Sequence, residues 1–227
     1  MFSATWPKEI QALASRFCCI DPIHIKIGDQ QGHDGFTVNE NITQKIHVID
    51  DFKKKRAHFQ QLLISLVNDN GKKPLKIIIF CKTKRGCDNL EKTLKWDKDL
   101  QNAIPYESCA IHGDKEQWER DGIYTNFKKP IGNKTNILIA TDVASRGLDV
   151  KDISIVINYD MPMSGFDNYV HRIGRTGRAG AKGIAHSYIV PTEDKSMVGP
   201  LIALLKKTNQ HVPEELFRVK GAHSAAA

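Results

Sequence analysis

The stretch Leu75-Lys-Ile-Ile-Ile-Phe-Cys81, followed by Lys82-Thr-Lys-Arg-Gly86 and running on to Trp96, decides how the rest of the chain is read. Leu75–Cys81 is apolar at nearly every position and carries three successive isoleucines. It is too short for a buried helix and reads as a strand covered on both faces. Lys84–Trp96 then places Cys87, Leu90 and Leu94 on one side at helical spacing. A buried strand, a glycine-bearing polar turn and an amphipathic helix form the first half of a βαβ unit.

The same alternation continues in both directions. Upstream, Ile42–Ile49 reads as a strand, and Phe52–Asn68 as a helix with Phe59, Leu62, Leu63, Leu66 and Val67 as its apolar stripe. The charges Lys53-Lys-Lys-Arg56 that open this helix read as a solvated face. Downstream, strands are expected at Ser108–Ile111, Ile137–Thr141, Ile153–Tyr159 and Ile184–Val190. Helices are expected at Lys115–Phe127, Phe166–Ile173 and Thr192–Thr208, the last broken or kinked near Pro200, which lacks a backbone N–H. The pattern predicts an α/β fold: a mostly parallel sheet with helices on both faces, in three layers. The main domain is expected over 41–219. Residues 1–28 read as the tail end of a preceding unit, with a helix bearing Ile10, Leu13, Ala14 and Phe17, N-capped by Thr5, and a strand alternating at Ile23, Ile25 and Ile27. Residues 29–40 read as a linker, and 220–227 as a disordered tail or cloning remnant.

The 227 residues carry 33 Lys plus Arg against 26 Asp plus Glu, a net charge of +7, with 41% hydrophobic residues. This balance is globular and excludes a wholly disordered or fibrous chain. The longest apolar runs, Ile77–Cys81 and Leu201–Leu205, are five residues each, whereas a membrane span needs about 20, so no membrane partner is expected. The positive balance fits a nucleic-acid partner without establishing one. Cys18, Cys19, Cys81, Cys87 and Cys109 form no C-x-x-C pair, which reads as a reducing, intracellular compartment with buried thiols. The histidines show no H-x-x-x-H spacing, and no metal site is expected.

In open parallel sheets, ligands sit beyond the carboxyl ends of the strands. After Ile77–Phe80 come Lys82, Thr83, Lys84, Arg85 and Gly86, a hydroxyl and three cations at a helix N-terminus, which suits an anion. After Ser108–Ile111 come His112, Gly113 and Asp114, then Gln117 and Arg120. After Ile137–Ala140 come Thr141, Asp142, Ser145, Arg146, Gly147 and Asp149. Any one loop is ordinary turn and cap chemistry; three on one edge favour a nucleotide or a phosphate-bearing polymer. In His171-Arg-Ile-Gly-Arg-Thr-Gly-Arg178, Arg172, Arg175 and Arg178 share one side if the helix persists, and no acidic residue occurs between Asn168 and Thr192. Guanidinium groups match phosphate oxygens and keep their charge.

Five segments, in order, resemble the motifs of DEAD-box RNA helicases: Ser3-Ala-Thr5 (motif III), Ile77–Gly86 (motif IV), Ile111–Asp114 with Gln117 and Arg120 (the Q-x-x-R element), Ala140–Asp149 (motif V) and His171–Arg178 (motif VI). The wording of Met1–Pro7 and of Ile157–Pro162 is nearest the p68-like branch. The segments Asp97–Glu107 and Lys128–Lys134 look longer than the family pattern. No G-x-x-x-x-G-K-[ST] phosphate loop and no Asp-Glu-Ala-Asp occurs in the 227 residues.

The resemblance implies the second RecA-like domain of an ATP-dependent RNA helicase, with motif III of the first domain at its start. It implies that Arg175 and Arg178 act on the ATP γ-phosphate, and that Gly147 and Asp149 meet the nucleotide. Thr83, Lys84, Gly86, Gly113, Gln117, Arg120 and Thr141 would contact RNA or hold such contacts, with Gln117 tying the Arg120 helix to motif V. Ser3, Thr5, Arg146, His171 and Arg172 would couple the two domains. ATP is the implied nucleotide, and Mg2+ would be held by the first domain. The implied partners are RNA of any sequence and the first RecA-like domain of the same polypeptide. The chain alone is expected to be monomeric and inactive as an ATPase, and the resemblance points to the nucleus rather than the cytoplasm. Two other readings are a non-enzymatic RNA-binding or adaptor module and a DNA-directed helicase of the same superfamily; the leading His171 argues against the second.

Overall fold

The computed structural model describes residues 8–17, 39–130, 132–145, 150, 152–163 and 165–221. The chain divides into two compact units, Met1–Asn39 and Glu40–Ala227. In the first, α1 spans Lys8–Phe17; Ala14 is buried, but Phe17, expected on the apolar stripe, is exposed. Thr5 and the strand expected at Ile23–Ile27 lie outside the described residues.

The second unit holds one six-stranded sheet among the described residues, every recorded pairing parallel. In chain order its elements are β1 (Ile42–Val48), α2 (Phe52–Asp69), β2 (Lys76–Phe80), α3 (Lys84–Trp96), α4 (Lys98–Ala103), β3 (Tyr106–Ile111) and α5 (Gln117–Lys128). There follow β4 (Thr135–Ala140), α6 (Asp142–Ser145), β5 (Ile155–Asn158), α7 (Phe166–Ile173), a single 3-10 turn at Arg178–Gly180, β6 (Gly183–Ile189), α8 (Lys195–Lys207) and α9 (Glu214–Lys220). The strand order is β1-β6-β5-β2-β4-β3. Helices α2 and α3 cover one face through Phe59, Leu63, Leu66, Leu90 and Leu94, which meet Ile77, Ile79, Ile137 and Ile157 in a buried cluster. Every residue of β2 and β5 is buried, as the apolar runs Ile77–Phe80 and Ile155–Ile157 require in the middle of such a sheet.

Three expectations need correction. The helix over 192–208 does not break at Pro200: α8 runs through it. One backbone bond is lost, but Met197 and Val198 before the proline and Leu201, Ile202, Leu204 and Leu205 after it are all buried and anchor both halves. The long segment after Asp97, for which the sequence offered no account, adds α4, whose Leu100 enters the core, and needs no correction; Asp97 caps it, accepting the Leu100 N–H at 2.9 Å. Cys109 is exposed rather than buried, because β3 is an edge strand with one open face, whereas Cys81 and Cys87 are buried. Lys55 is not part of a solvated face: it is 1% exposed, while Lys53, Lys54 and Arg56 around it are exposed.

Candidate nucleic-acid interface

The carboxyl ends of β2, β4 and β3 lie side by side, and their loops hold most of the expected RNA-facing residues. After β2, Thr83 takes an extended conformation and caps α3, its hydroxyl oxygen accepting the Gly86 N–H at 2.9 Å. A Cβ on Gly86 would stand 3.0 Å from that oxygen and 3.6 Å from Cβ of Cys81, so glycine keeps the cap closed. Lys84 pairs with Asp114 of the loop after β3. His112 is buried, with Nε2 2.9 Å from Oδ1 of Asp88 on α3. These two cross-ties hold the start of α3 and the loop after β3 together, with exposed Gly113 between them. Thr141, buried, leaves β4 just before Asp142 opens α6.

On α5, Arg120 donates to Oε1 of Gln117, and Gln117 donates to Asp121 at 2.7 Å. Gln117, expected to tie this helix to motif V, makes its recorded bonds within its own helix. Nε of Arg120 is buried without a hydrogen-bond partner. The edge is less uniformly basic than the sequence suggests: Lys82 lies 3.3 Å from Glu193, and Lys84 is matched by Asp114.

The segment His171–Arg178 is not one continuous helix. α7 ends at Ile173 with Gly174 as C-cap, so the three arginines do not stack on one side. Arg172 is 2% exposed and donates from Nε and a terminal nitrogen to both oxygens of Asp142, the latter at 2.8 Å. Its other terminal nitrogen donates to the Asp160 carbonyl, and the guanidinium stands 5.0 Å over the Phe80 ring. These partners come from the segments that follow β4 and β5. The neutralising carboxylate, absent from its own stretch of sequence, comes from the loop after β4, as a buried guanidinium requires. His171 is exposed.

Arg175 and Arg178 are half-buried. Nε of Arg178 donates to the Gly174 carbonyl at 3.1 Å. Burial, and then the like charge of Arg178, lowers the pKa of Arg175. Between them Thr176 is buried, its hydroxyl donating to the carbonyls of Ile153 (2.7 Å) and Ser154 (3.0 Å), so the turn is fastened to the residues leading into β5. Ser3, Thr5, Arg146, Gly147 and Asp149 lie outside the described residues. Among those described, no group of three His, Cys, Asp or Glu side chains could hold a metal ion, and no helix is long and apolar enough to cross a membrane.

Sequence reasoning passed over Lys55, Asn158 and Asp160. Asp160 is bonded by Lys55, by the Lys82 N–H and by Arg172. Asn158, fully buried in β5, donates to the Ser187 hydroxyl at 2.9 Å and faces Arg172. The available signal was three polar residues, Asn158, Tyr159 and Asp160, ending an apolar strand.

A parallel sheet with a cation-bearing edge and a fastened arginine turn defines a RecA-like helicase domain. The chain matches the family described as helicase conserved C-terminal domain over residues 54–180, and it belongs to that family. It is similar to the ATP-dependent RNA helicase DBP2 of Candida glabrata, with 43% identity over 228 aligned positions that cover 98% of this chain and 38% of that protein. Two solved structures resemble it. The yeast DEAD-box splicing factor Prp28 gives a TM-score of 0.69 at 26% identity, covering 100% of this chain and 46% of that one. Saccharomyces cerevisiae Dbp5, bound to RNA and ADP BeF3, gives 0.68 at 28% identity, covering 96% and 53%. The chain thus spans 38% to 53% of these relatives' length and corresponds to the C-terminal helicase domain of the DEAD-box type. The adaptor reading is not favoured.

Proposed function

We propose that this domain is the C-terminal half of an ATP-dependent RNA helicase, which closes on a first RecA-like domain of the same polypeptide, completes the ATP site and grips the RNA backbone to separate short duplexes. The observation that carries the reading is the pair Arg175 and Arg178. Two guanidinium groups close enough to repel, one of them partly desolvated, are fastened beside Thr176. Fixed positive charge held in this way stabilises the negative charge that develops on a transferred phosphoryl group. Thr83, Lys84, Gly86, Gly113, Arg120 and Thr141 then hold RNA phosphates and 2′-hydroxyls; contacts of that kind read backbone rather than sequence. Gly147 and Asp149 meet the nucleotide by resemblance, and Ser3, Thr5, Arg146, His171 and Arg172 couple the domains. ATP carries Mg2+, which we assign to ligands of the first domain; no step here is routed through it. The RNA bound by Dbp5 and the names of the relatives support this reading.

The test is steady-state ATPase kinetics of the full-length protein across an RNA titration. Wild type should show RNA-stimulated hydrolysis. Arg178→Ala should lower turnover by up to about 10³-fold, less if Arg175 shares the role, while RNA crosslinking stays largely intact. Wild-type turnover in Arg178→Ala at saturating RNA would remove the arginine turn from the phosphate site.

A further inference from the structure

We propose that Lys55 and Asp160 are positioning residues that hold the RNA-facing loop after β2 and the arginine segment after α7 in a single arrangement; the functional half of this statement rests on the reading above. Asp160 is a junction of four elements. Its N–H donates to the Phe80 carbonyl at the end of β2 (3.1 Å). One carboxylate oxygen accepts from Nζ of Lys55 in the first turn of α2 (2.8 Å), and the other accepts the N–H of Lys82 (3.0 Å). Its carbonyl accepts from Arg172 of α7. Lys82 is the base of the loop that bears Thr83, Lys84 and Gly86. Arg172 in turn grips Asp142, the neighbour of Thr141, and lies three residues before Arg175. One residue therefore meets both segments: the Asp160 carboxylate holds the Lys82 N–H, and its backbone carbonyl holds Arg172.

Lys55 holds that carboxylate in place. Its side chain is 2% exposed, with Nζ 4.3 Å from the centroid of the Tyr159 ring. Burying an ammonium group is costly unless a partner and good geometry offset it. The burial of Lys55 alone, within a run whose other three members are solvated, marks a specific pairing rather than a basic surface. Without the ammonium group, Asp160 regains rotamer freedom and loosens its hold on the Lys82 N–H.

The variants are Lys55→Met, which keeps the apolar stem and removes the charge, and the double Lys55→Met/Asp160→Asn, which leaves no charge unpaired and carries the same test should the single variant not fold. In this chain, amide hydrogen exchange at Lys82 should quicken by about tenfold or more, with Ile78 and Ile79 of β2 unchanged, since only the local opening is altered. In the full-length protein, well below the melting temperature, the RNA concentration for half-maximal ATPase should rise about fivefold or more, and turnover at saturating RNA should fall by a similar factor. A purely structural pair would lower the melting temperature and leave all three readouts within about twofold of wild type, which would overturn the proposal. If the wild-type full-length protein shows no RNA-stimulated ATPase, the functional reading fails, and exchange at Lys82 still decides the positioning.

Discussion

Gly183 and Thr176 approach so closely that a Cβ on Gly183 would stand 2.3 Å from Thr176 Oγ1 and 2.5 Å from the Gly177 nitrogen. Thr176 cannot step aside, because its hydroxyl is committed to the carbonyls of Ile153 and Ser154. Gly183 is itself held by its N–H bond to the Asn41 carbonyl at 2.9 Å. The start of β6 is thus the floor on which the arginine turn rests.

Gly183→Ala should therefore destabilise the domain by about 1–3 kcal/mol, the usual cost of forcing a methyl group into a packed site. Gly132→Ala, with nothing within 4 Å of its Cβ, is the control. Urea denaturation of both variants makes the comparison, and equal midpoints would show that the turn yields.

Asp142→Ala should cost about 3 kcal/mol or more, because it leaves the buried guanidinium of Arg172 without its bidentate carboxylate. Replacing both residues by apolar side chains should cost less than Asp142→Ala alone, since no charge is then stranded. Chemical denaturation of the single and double variants, analysed as a cycle, measures this.

Acid should weaken the domain through a histidine cluster on β1, α2 and β6. His47 and His186 lie 2.9 Å apart, and His58 reaches the Tyr188 hydroxyl at 2.9 Å. Burial first, then the charges of His47, Lys45 and His58, pushes His186 down to about 3. Burial, then His58 and Lys45, pushes His47 down to about 4. Both stay neutral in the fold while the unfolded chain takes up protons near the ordinary value of 6.5. The stability they contribute is complete above about pH 6.5 and is lost as pH falls toward 4 and then 3. For buried His186 the slope in that window is up to about 1.4 kcal/mol per pH unit. His186→Gln should lose less stability than wild type between about pH 7 and pH 5, as measured by thermal or urea melts.

Arg120→Ala should raise the RNA concentration needed for half-maximal ATPase in the full-length protein about tenfold or more, by removing one charge-assisted phosphate contact worth about 1.5–3 kcal/mol. Turnover at saturating RNA should stay near wild type, in contrast to Arg178→Ala. The salt dependence of RNA binding should flatten by about one phosphate contact. An unchanged RNA titration would place Arg120 outside the RNA path.

Much of this was legible in the chain itself. Local periodicity and strand length marked every strand of the sheet, because a strand buried on both faces, such as Ile77–Phe80, must be apolar throughout. The order of its motifs identified the DEAD-box type, since phosphate recognition uses short runs of residues adjacent in sequence. The Thr83 cap and Gly86 belong to that local class.

What the sequence could not disclose depends on partners distant along the chain. Arg172 looked unneutralised because its carboxylate, Asp142, lies 30 residues away and arrives only when β4 and β5 join the same sheet. Lys55 looked solvated among its neighbours because its partner Asp160 is 105 residues downstream. Pro200 looked like a break because the buried residues on both sides of it outweigh one missing hydrogen bond only once α8 is packed. The sequence by itself determined which segments are strands and helices and which short runs suit phosphate, because those properties are set by neighbouring residues. Only the tertiary structure decided which charges are paired inside the protein, because a buried charge is placed by whatever opposite charge the folded chain brings to it.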